Sequence, residues 1–258
     1  MWRLPTELAR PFVITLTAAV LLHACTAPVQ EPPQTPVSEA PDLPQSRYLE
    51  ALQEGMKLYR IDSRRSLITI NVYRGGPLAR LGHDHVVASR DVQGLVRMAD
   101  RAPDPDRPII IDATNQSRTD FRIPLTELSV DEPALRAAAG LTTTPSNNAK
   151  AGTRRNMQEK VLETSDWPWL TGHAIWLAGD LPEPTLDLDI NLHGLSWRTK
   201  LAAEITHSGD ELRIQSRLKL KQSDFGIEAF TALGGSLVVK DELDVTLDII
   251  ATAWRPGE

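Results

Sequence analysis

The chain has 258 residues, and 28 lysines and arginines stand against 34 aspartates and glutamates, so its formal net charge is −6. An acidic chain without a basic cluster argues against nucleic acid as a partner. Its one cysteine excludes an intrachain disulfide, and its length allows a domain with a sizeable core.

The first 24 residues are predicted to be a lipoprotein signal peptide. Arg3 and Arg10 precede an uncharged, mostly apolar run over residues 11–22, which is too short to span a bilayer and fits a signal-peptide core. The run ends in LHAC at residues 22–25, which resembles the lipobox of bacterial lipoproteins, so Cys25 is predicted to be acylated. An ordinary secretory signal with a chance cysteine is the alternative.

The residue after the cysteine bears on localisation. Thr26 stands where an aspartate would resemble an inner-membrane retention signal. By that analogy, we expect a protein of the bacterial cell envelope that is lipid-anchored in the outer membrane and faces the periplasm.

Residues 25–56 are predicted to be the lipidated cysteine and a proline-rich tether. Six prolines between residues 28 and 44 favour extended, polyproline-like conformations, which would hold a domain away from the membrane. A short helix is predicted over residues 47–55, with Ser46 as its N-cap.

Residues 57–255 are predicted to form one antiparallel β-barrel of about eight strands with one or two short helices. Apolar and polar residues alternate with a period of two, and Gly- and Asp-containing turns separate the segments, which indicates hairpins. Closure into a barrel hides one apolar face of each strand and removes exposed edges. The predicted strands include residues 66–73, 81–96, 109–113, 118–125, 173–177, 185–193, 198–206, 211–221 and 243–250.

Two helical segments interrupt the strands. Residues 131–139 begin with Asp131 as a capping acid and continue with a proline and an alanine-rich body. Residues 153–163 form the second segment, with Thr153 as its expected N-cap. The polar stretch over residues 142–149 is predicted to lie between the two helices as a loop.

A pair of histidines stands in the segment over residues 81–96. His83 and His85 are one residue apart, so on a strand both imidazoles lie on the same face. Imidazole suits zinc, copper or nickel, and His193 is the candidate third ligand for such a site. The alternative is that the pair forms hydrogen bonds at the barrel mouth or positions a polar head group.

Several motifs, in order along the chain, resemble the YceI-like family. They are YRID at residues 59–62, RNMQ at 155–158, LHGL at 192–195, SDFGI at 223–227 and DELDV at 241–245. The resemblance implies an extended antiparallel β-barrel similar to a lipocalin, in which some members bind a long polyisoprenoid chain. This chain departs from the common pattern in its GHDH segment and in an inserted stretch near residues 141–150.

Within the SDFGI motif a structural role is favoured. Gly226 is expected to permit a bend, Phe225 to contact the core and Asp224 to cap a turn.

The sequence contains no GxSxG, Walker or HExxH motif, so no catalytic residue, metal site or cofactor is predicted. The leading hypothesis is a lipid-binding or carrier protein, not an enzyme, that holds a long-chain isoprenoid or acyl amphiphile. A metal-binding envelope protein, or a structural or interaction barrel without a small ligand, are the alternatives. The oligomeric state stays open, a dimer included. The predicted ligand-binding residues are His83, His85, Ile68, Ile70, Val72, Leu186, Leu188, Ile190, Trp176 and Phe225.

Overall fold

The computed structural model of the chain describes residues 39–100 and 116–256. The predicted signal peptide, the predicted acylation site Cys25, the predicted tether up to residue 38 and the predicted strand over residues 109–113 lie outside these ranges. None of the helices in the described ranges is long and apolar enough to cross a membrane. The α-helices are α1 (Gln45–Gln53), α2 (Pro133–Ala138) and α3 (Asn147–Asn156).

Eight antiparallel strands close into a barrel. Their order is β1-β5-β6-β8-β9-β10-β11-β14, and β14 pairs back to β1. This confirms the predicted fold class. The strands of the barrel are β1 (Lys57–Ile61), β5 (Gln93–Met98), β6 (Arg118–Pro124), β8 (Trp169–Ala178), β9 (Thr185–Leu192), β10 (Leu195–Ser208), β11 (Glu211–Lys221) and β14 (Glu242–Ala253).

Three further strands lengthen the barrel at one end. β2 pairs with β14 beyond the part that pairs with β1, β4 pairs with β2, and β7 pairs with β4. A small sheet continues from the same end, because β3 directly follows β2 and pairs with β13. These elements are β2 (Leu67–Val72), β3 (Arg74–Gly75), β4 (His85–Ser89), β7 (Ser129–Val130), β12 (Thr231–Ala232) and β13 (Leu237–Val239).

The alternation of the strands determines what the barrel encloses. In β9, Leu186, Leu188 and Ile190 are buried, while the residues between them are partly exposed. Each of these leucines and isoleucines belongs to the main apolar cluster. The period-two pattern of the sequence therefore gives the inward faces correctly.

A two-residue turn joins β9 to β10. His193 and Gly194 have φ angles of 54° and 74°, as a type I′ hairpin turn requires at both central positions. A Cβ on Gly194 would lie 2.6 Å from Cη2 of Trp167, so a larger residue would displace the indole. This close approach explains the glycine of the LHGL motif.

Helix α1 packs on the outer face of the barrel. Tyr48 is fully buried against Leu58 and Leu95, whose chain neighbours belong to the inner cluster. Its hydroxyl oxygen lies 2.8 Å from Oδ2 of Asp120 and accepts a hydrogen bond from the Asp120 amide at 3.0 Å. Residues 45–56, which the sequence placed in the tether, thus pack with the barrel, because a tyrosine anchors the helix.

The N-caps of two helices differ from the predictions. Pro44 precedes α1 and no side chain caps that helix, so Ser46 is not its N-cap. Helix α3 begins six residues before Thr153, because Ser146 accepts a hydrogen bond from the Ala149 amide at 3.2 Å. Helix α3 thus includes residues 147–149, which were predicted to belong to a loop.

A π-helical turn, Met157–Val161, follows α3. Such wider turns are rare and often lie at functional sites. Here the turn and the next residue, Leu162, pack against the apolar clusters of the barrel.

Candidate functional site

An apolar cavity of about 350 Å³, the outer chamber, lies at the extended end of the barrel. Barrel strands, the π-helical turn and the small sheet all contribute to its lining. The lining also includes Ala149 and Lys221, which are exposed, so the chamber reaches the protein surface. Apolar lining residues include Ile70, Val72, Met157, Phe225, Phe230 and Val238.

A second cavity of about 170 Å³, the inner chamber, lies deeper within the barrel. It is lined mostly by inward-facing residues of the barrel strands, including Ala174 of β8. The two chambers share part of their lining and therefore adjoin each other. The shared residues are Ile70, Leu125, Leu128, Leu170, Leu220 and Val245.

Every residue that the sequence suggested for ligand binding lines one of the chambers. Their contact with a ligand stays a prediction. His83, His85, Val72 and Phe225 line the outer chamber; Ile68, Trp176, Leu186, Leu188 and Ile190 line the inner one; Ile70 lines both.

The SDFGI motif shapes the wall of the outer chamber. Phe225 is buried, and its ring centroid lies 6.1 Å from that of Trp197. Gly226 ends the 3₁₀ turn with a φ of 66°, as the predicted bend requires. The carboxylate at the turn belongs to Asp241, not to Asp224: the amide and the hydroxyl of Ser223 donate to it at 2.8 and 2.6 Å.

The two histidines meet at the wall of the outer chamber. His85 opens β4, whereas His83 lies in the loop before that strand. Their ring centroids are 6.4 Å apart, with an interplanar angle of 73°. Both side chains line the outer chamber, although only His85 belongs to a strand.

A buried carboxylate holds His85. Oδ2 of Asp131 lies 2.7 Å from Nδ1 of His85, and Oδ1 accepts hydrogen bonds from the Val86 amide at 3.1 Å and from Nη1 of Arg136 at 2.6 Å. Burial raises the pKa of Asp131, but the hydrogen bonds from His85, Arg136 and Val86 outweigh it, and the pKa is lowered. Asp131 is therefore an ionised carboxylate in the folded protein.

Arg136 completes this network from helix α2. Its side chain is almost fully buried and also donates to the carbonyl oxygens of Asp84 and Thr143, at 2.7 and 2.6 Å. Asp131 is thus not the helix cap that the sequence suggested, since Glu132 occupies the N-cap position without a side-chain cap. Arg136 was not predicted to belong to a site, although a lone arginine in an alanine-rich helix was an available signal.

The structure does not bring His193 to the histidine pair. His193 lies at the β9–β10 turn, where its Nε2 is 3.0 Å from Oε2 of Glu163 and its ring packs against Trp167. Within residues 39–100 and 116–256, no group of three or more His, Cys, Asp or Glu side chains could hold a metal ion. The third ligand suggested for a metal site is therefore held elsewhere.

Two solved structures share this architecture. BcnA of Burkholderia cenocepacia is 10% identical, covers 74% of this chain and 99% of its own, and has a TM-score of 0.50. A polyisoprenoid-binding domain from Saccharophagus degradans, implicated in plant cell wall breakdown, is 14% identical, covers 76% and 98%, and has a TM-score of 0.50. The chain has their fold. It is the barrel that the resemblance to the YceI-like family implies. No protein-family model and no curated protein matches the sequence.

Proposed function

We propose that the chain is a YceI-like envelope protein that binds or carries a long-chain isoprenoid or acyl amphiphile in its barrel. The observation that carries this proposal is the pair of adjoining apolar chambers, about 350 and 170 Å³. The outer chamber alone falls within the range of about 300–1,000 Å³ that is typical of small-molecule sites. The polyisoprenoid-binding neighbour, which has the same fold, supports the choice of ligand class.

The energetics of burial favour a long chain. Each methylene that leaves water for an apolar lining contributes about 0.8 kcal/mol, so about ten carbons contribute roughly 8 kcal/mol. Association costs about 4–15 kcal/mol, which ten carbons offset only at the low end of that range, whereas a chain of twenty carbons contributes roughly 16 kcal/mol. A short polar molecule would gain little from a lining of this kind.

The first prediction concerns uptake of a lipid. Delipidated protein should bind a twenty-carbon isoprenoid alcohol or a long-chain fatty acid at one molecule per barrel. Trp176 lines the inner chamber, so tryptophan fluorescence should change on titration. Mass spectrometry of lipids that co-purify with the native protein identifies the natural ligand. If no long chain binds in the titration, the proposed function is wrong and a structural or interaction role remains.

The second prediction concerns the envelope anchor. The mature protein should begin at Cys25 and carry acyl chains, and it should fractionate with the outer membrane. Cys25→Ser should shift it to the soluble fraction, whereas Ser38→Ala, a hydroxyl change in the same proline-rich stretch, should not. Mass spectrometry of the N-terminus checks this, and an unmodified Cys25 or cleavage elsewhere would refute it.

A further inference from the structure

The neutral form of His85 presents a hydrogen-bond acceptor on its Nε2. An ionised carboxylate only accepts hydrogen bonds, so the contact of 2.7 Å with Asp131 places a proton on Nδ1 of His85. In the neutral ring the other nitrogen, Nε2, then carries a lone pair. No described residue forms a hydrogen bond with it, and His85 lines the outer chamber.

His83 supplies a second polar group at the same wall. Its Nδ1 is buried and has no hydrogen-bond partner among the described residues. Because this atom is enclosed, the nitrogen that His83 can offer to a ligand is Nε2, which forms no hydrogen bond with a described residue. The ring lines the outer chamber beside His85, in a setting that is mostly apolar.

The charges next to the pair are already balanced. Arg136 is paired with Asp131. Arg74 donates from its backbone amide to Asp84 at 2.9 Å, and its Nε lies 3.7 Å from the same carboxylate. Each of the two arginines beside the histidines is thus paired with one carboxylate, and the two pairs add no net charge. Lys221 also lines the chamber, and the carboxylate opposite it in the strand pairing, Glu242, lies 2.6 Å from Nζ of Lys219.

We propose that His83 and His85 bind the uncharged hydroxyl head of a long-chain alcohol whose tail occupies the chambers. A hydroxyl both donates and accepts, so it can donate to Nε2 of His85 and accept from the imidazole of His83. A head group that is an ionised carboxylate can only accept hydrogen bonds, so it would be repelled by the lone pair on Nε2 of His85. This inference rests on the proposed function, because the tail must occupy the barrel for the head to reach the pair.

Three probes with the same twenty-carbon tail test this inference: geranylgeraniol, its methyl ether and geranylgeranyl phosphate. The protein is purified from the cells that naturally produce it and is then delipidated. Each probe is titrated into this protein, and tryptophan fluorescence is the readout. The alcohol should bind about tenfold more tightly than the ether, which cannot donate, because one net hydrogen bond corresponds to about that factor. The phosphate should also bind more weakly than the alcohol.

The outcomes separate the inference from the proposed function. If none of the three probes binds, the proposed function itself fails. If the alcohol and the ether bind equally, the barrel still holds a chain but the hydroxyl site is wrong. If the phosphate binds most tightly, the head is an anion and the inference is overturned. These titrations need no variant.

A pair of matched variants locates the preference. His85→Phe should remove the advantage of the alcohol while the affinity for the ether stays the same. His207→Phe is the control, because His207 is an exposed residue of β10 that lines neither chamber. The control should keep the tenfold preference. If His85→Phe does not fold, His83→Phe takes its place, and a preference that survives in the folded variant overturns the assignment.

Discussion

Ala174→Phe should weaken binding of a twenty-carbon chain about a hundredfold. Ala174 lies on β8 and lines the inner chamber, which measures only about 170 Å³, so a benzyl group would fill much of it. Excluding about four methylenes from that chamber forfeits about 3 kcal/mol, which corresponds to roughly two orders of magnitude in affinity. Fluorescence titration of wild type and variant with the same isoprenoid measures the difference.

Chain length and position provide the controls for this prediction. A ten-carbon chain can remain in the outer chamber, so its affinity for Ala174→Phe should change little. Ala202→Phe makes the same substitution at an exposed position of β10 that lines neither chamber, and it should bind the long chain normally. Overpacking at residue 174 costs about 1–3 kcal/mol of stability, so the fold is checked by circular dichroism. An equal loss for both chain lengths would show that the two chambers are not occupied in this way.

The sequence predicted the barrel because its evidence was local. Alternation in β2 and β9 identified the inward faces, and Gly- and Asp-containing turns such as residues 208–210 identified hairpins. Both features are determined by neighbouring residues, through strand geometry and the φ angles that glycine tolerates. A pattern of inward faces does not reveal whether side chains fill the interior, because that depends on how the volumes combine across all strands.

The network behind the histidines was beyond such reasoning. His85 and Asp131 are 46 residues apart, and Asp131 precedes a helix, where an acid is usually read as a cap. Only the pairing of β4 with β7 brings the two side chains together. Long-range contacts between polar residues leave no periodic trace in a sequence, whereas apolar faces do.

The same limit explains the position of helix α1. Its residues follow a proline-rich stretch and have little apolar content, so they read as part of the tether. The helix is held through Tyr48, whose hydroxyl meets Asp120 across 72 positions of sequence. In a sequence, a tyrosine that anchors a helix looks the same as an exposed tyrosine, because the surface against which it packs is formed by distant residues.

Asp131→Ala should lower the free energy of unfolding by about 3–5 kcal/mol, as expected when one partner of a buried ion pair is removed. The guanidinium of Arg136 would remain buried without its carboxylate, and Nδ1 of His85 would lose its acceptor. Asp180→Ala is the matched control, because that aspartate is exposed, and it should change stability by less than about 0.5 kcal/mol. Urea unfolding of both variants measures the values, and similar small losses for the two would contradict a structural role for Asp131.

The contribution of Asp131 to the free energy of unfolding should decrease as the pH becomes acidic. The pKa of Asp131 lies below its ordinary value of 3.8, so the unfolded state binds the proton more tightly than the folded state does. The stabilisation is therefore fully present above the unfolded pKa and is lost as the pH falls through the folded pKa. The difference in unfolding free energy between wild type and Asp131→Asn, which cannot titrate, should stay constant from pH 7 to about 5 and shrink below about 4. A difference that instead changed between pH 7 and 5 would contradict this assignment, because a carboxylate with a lowered pKa does not titrate in that range.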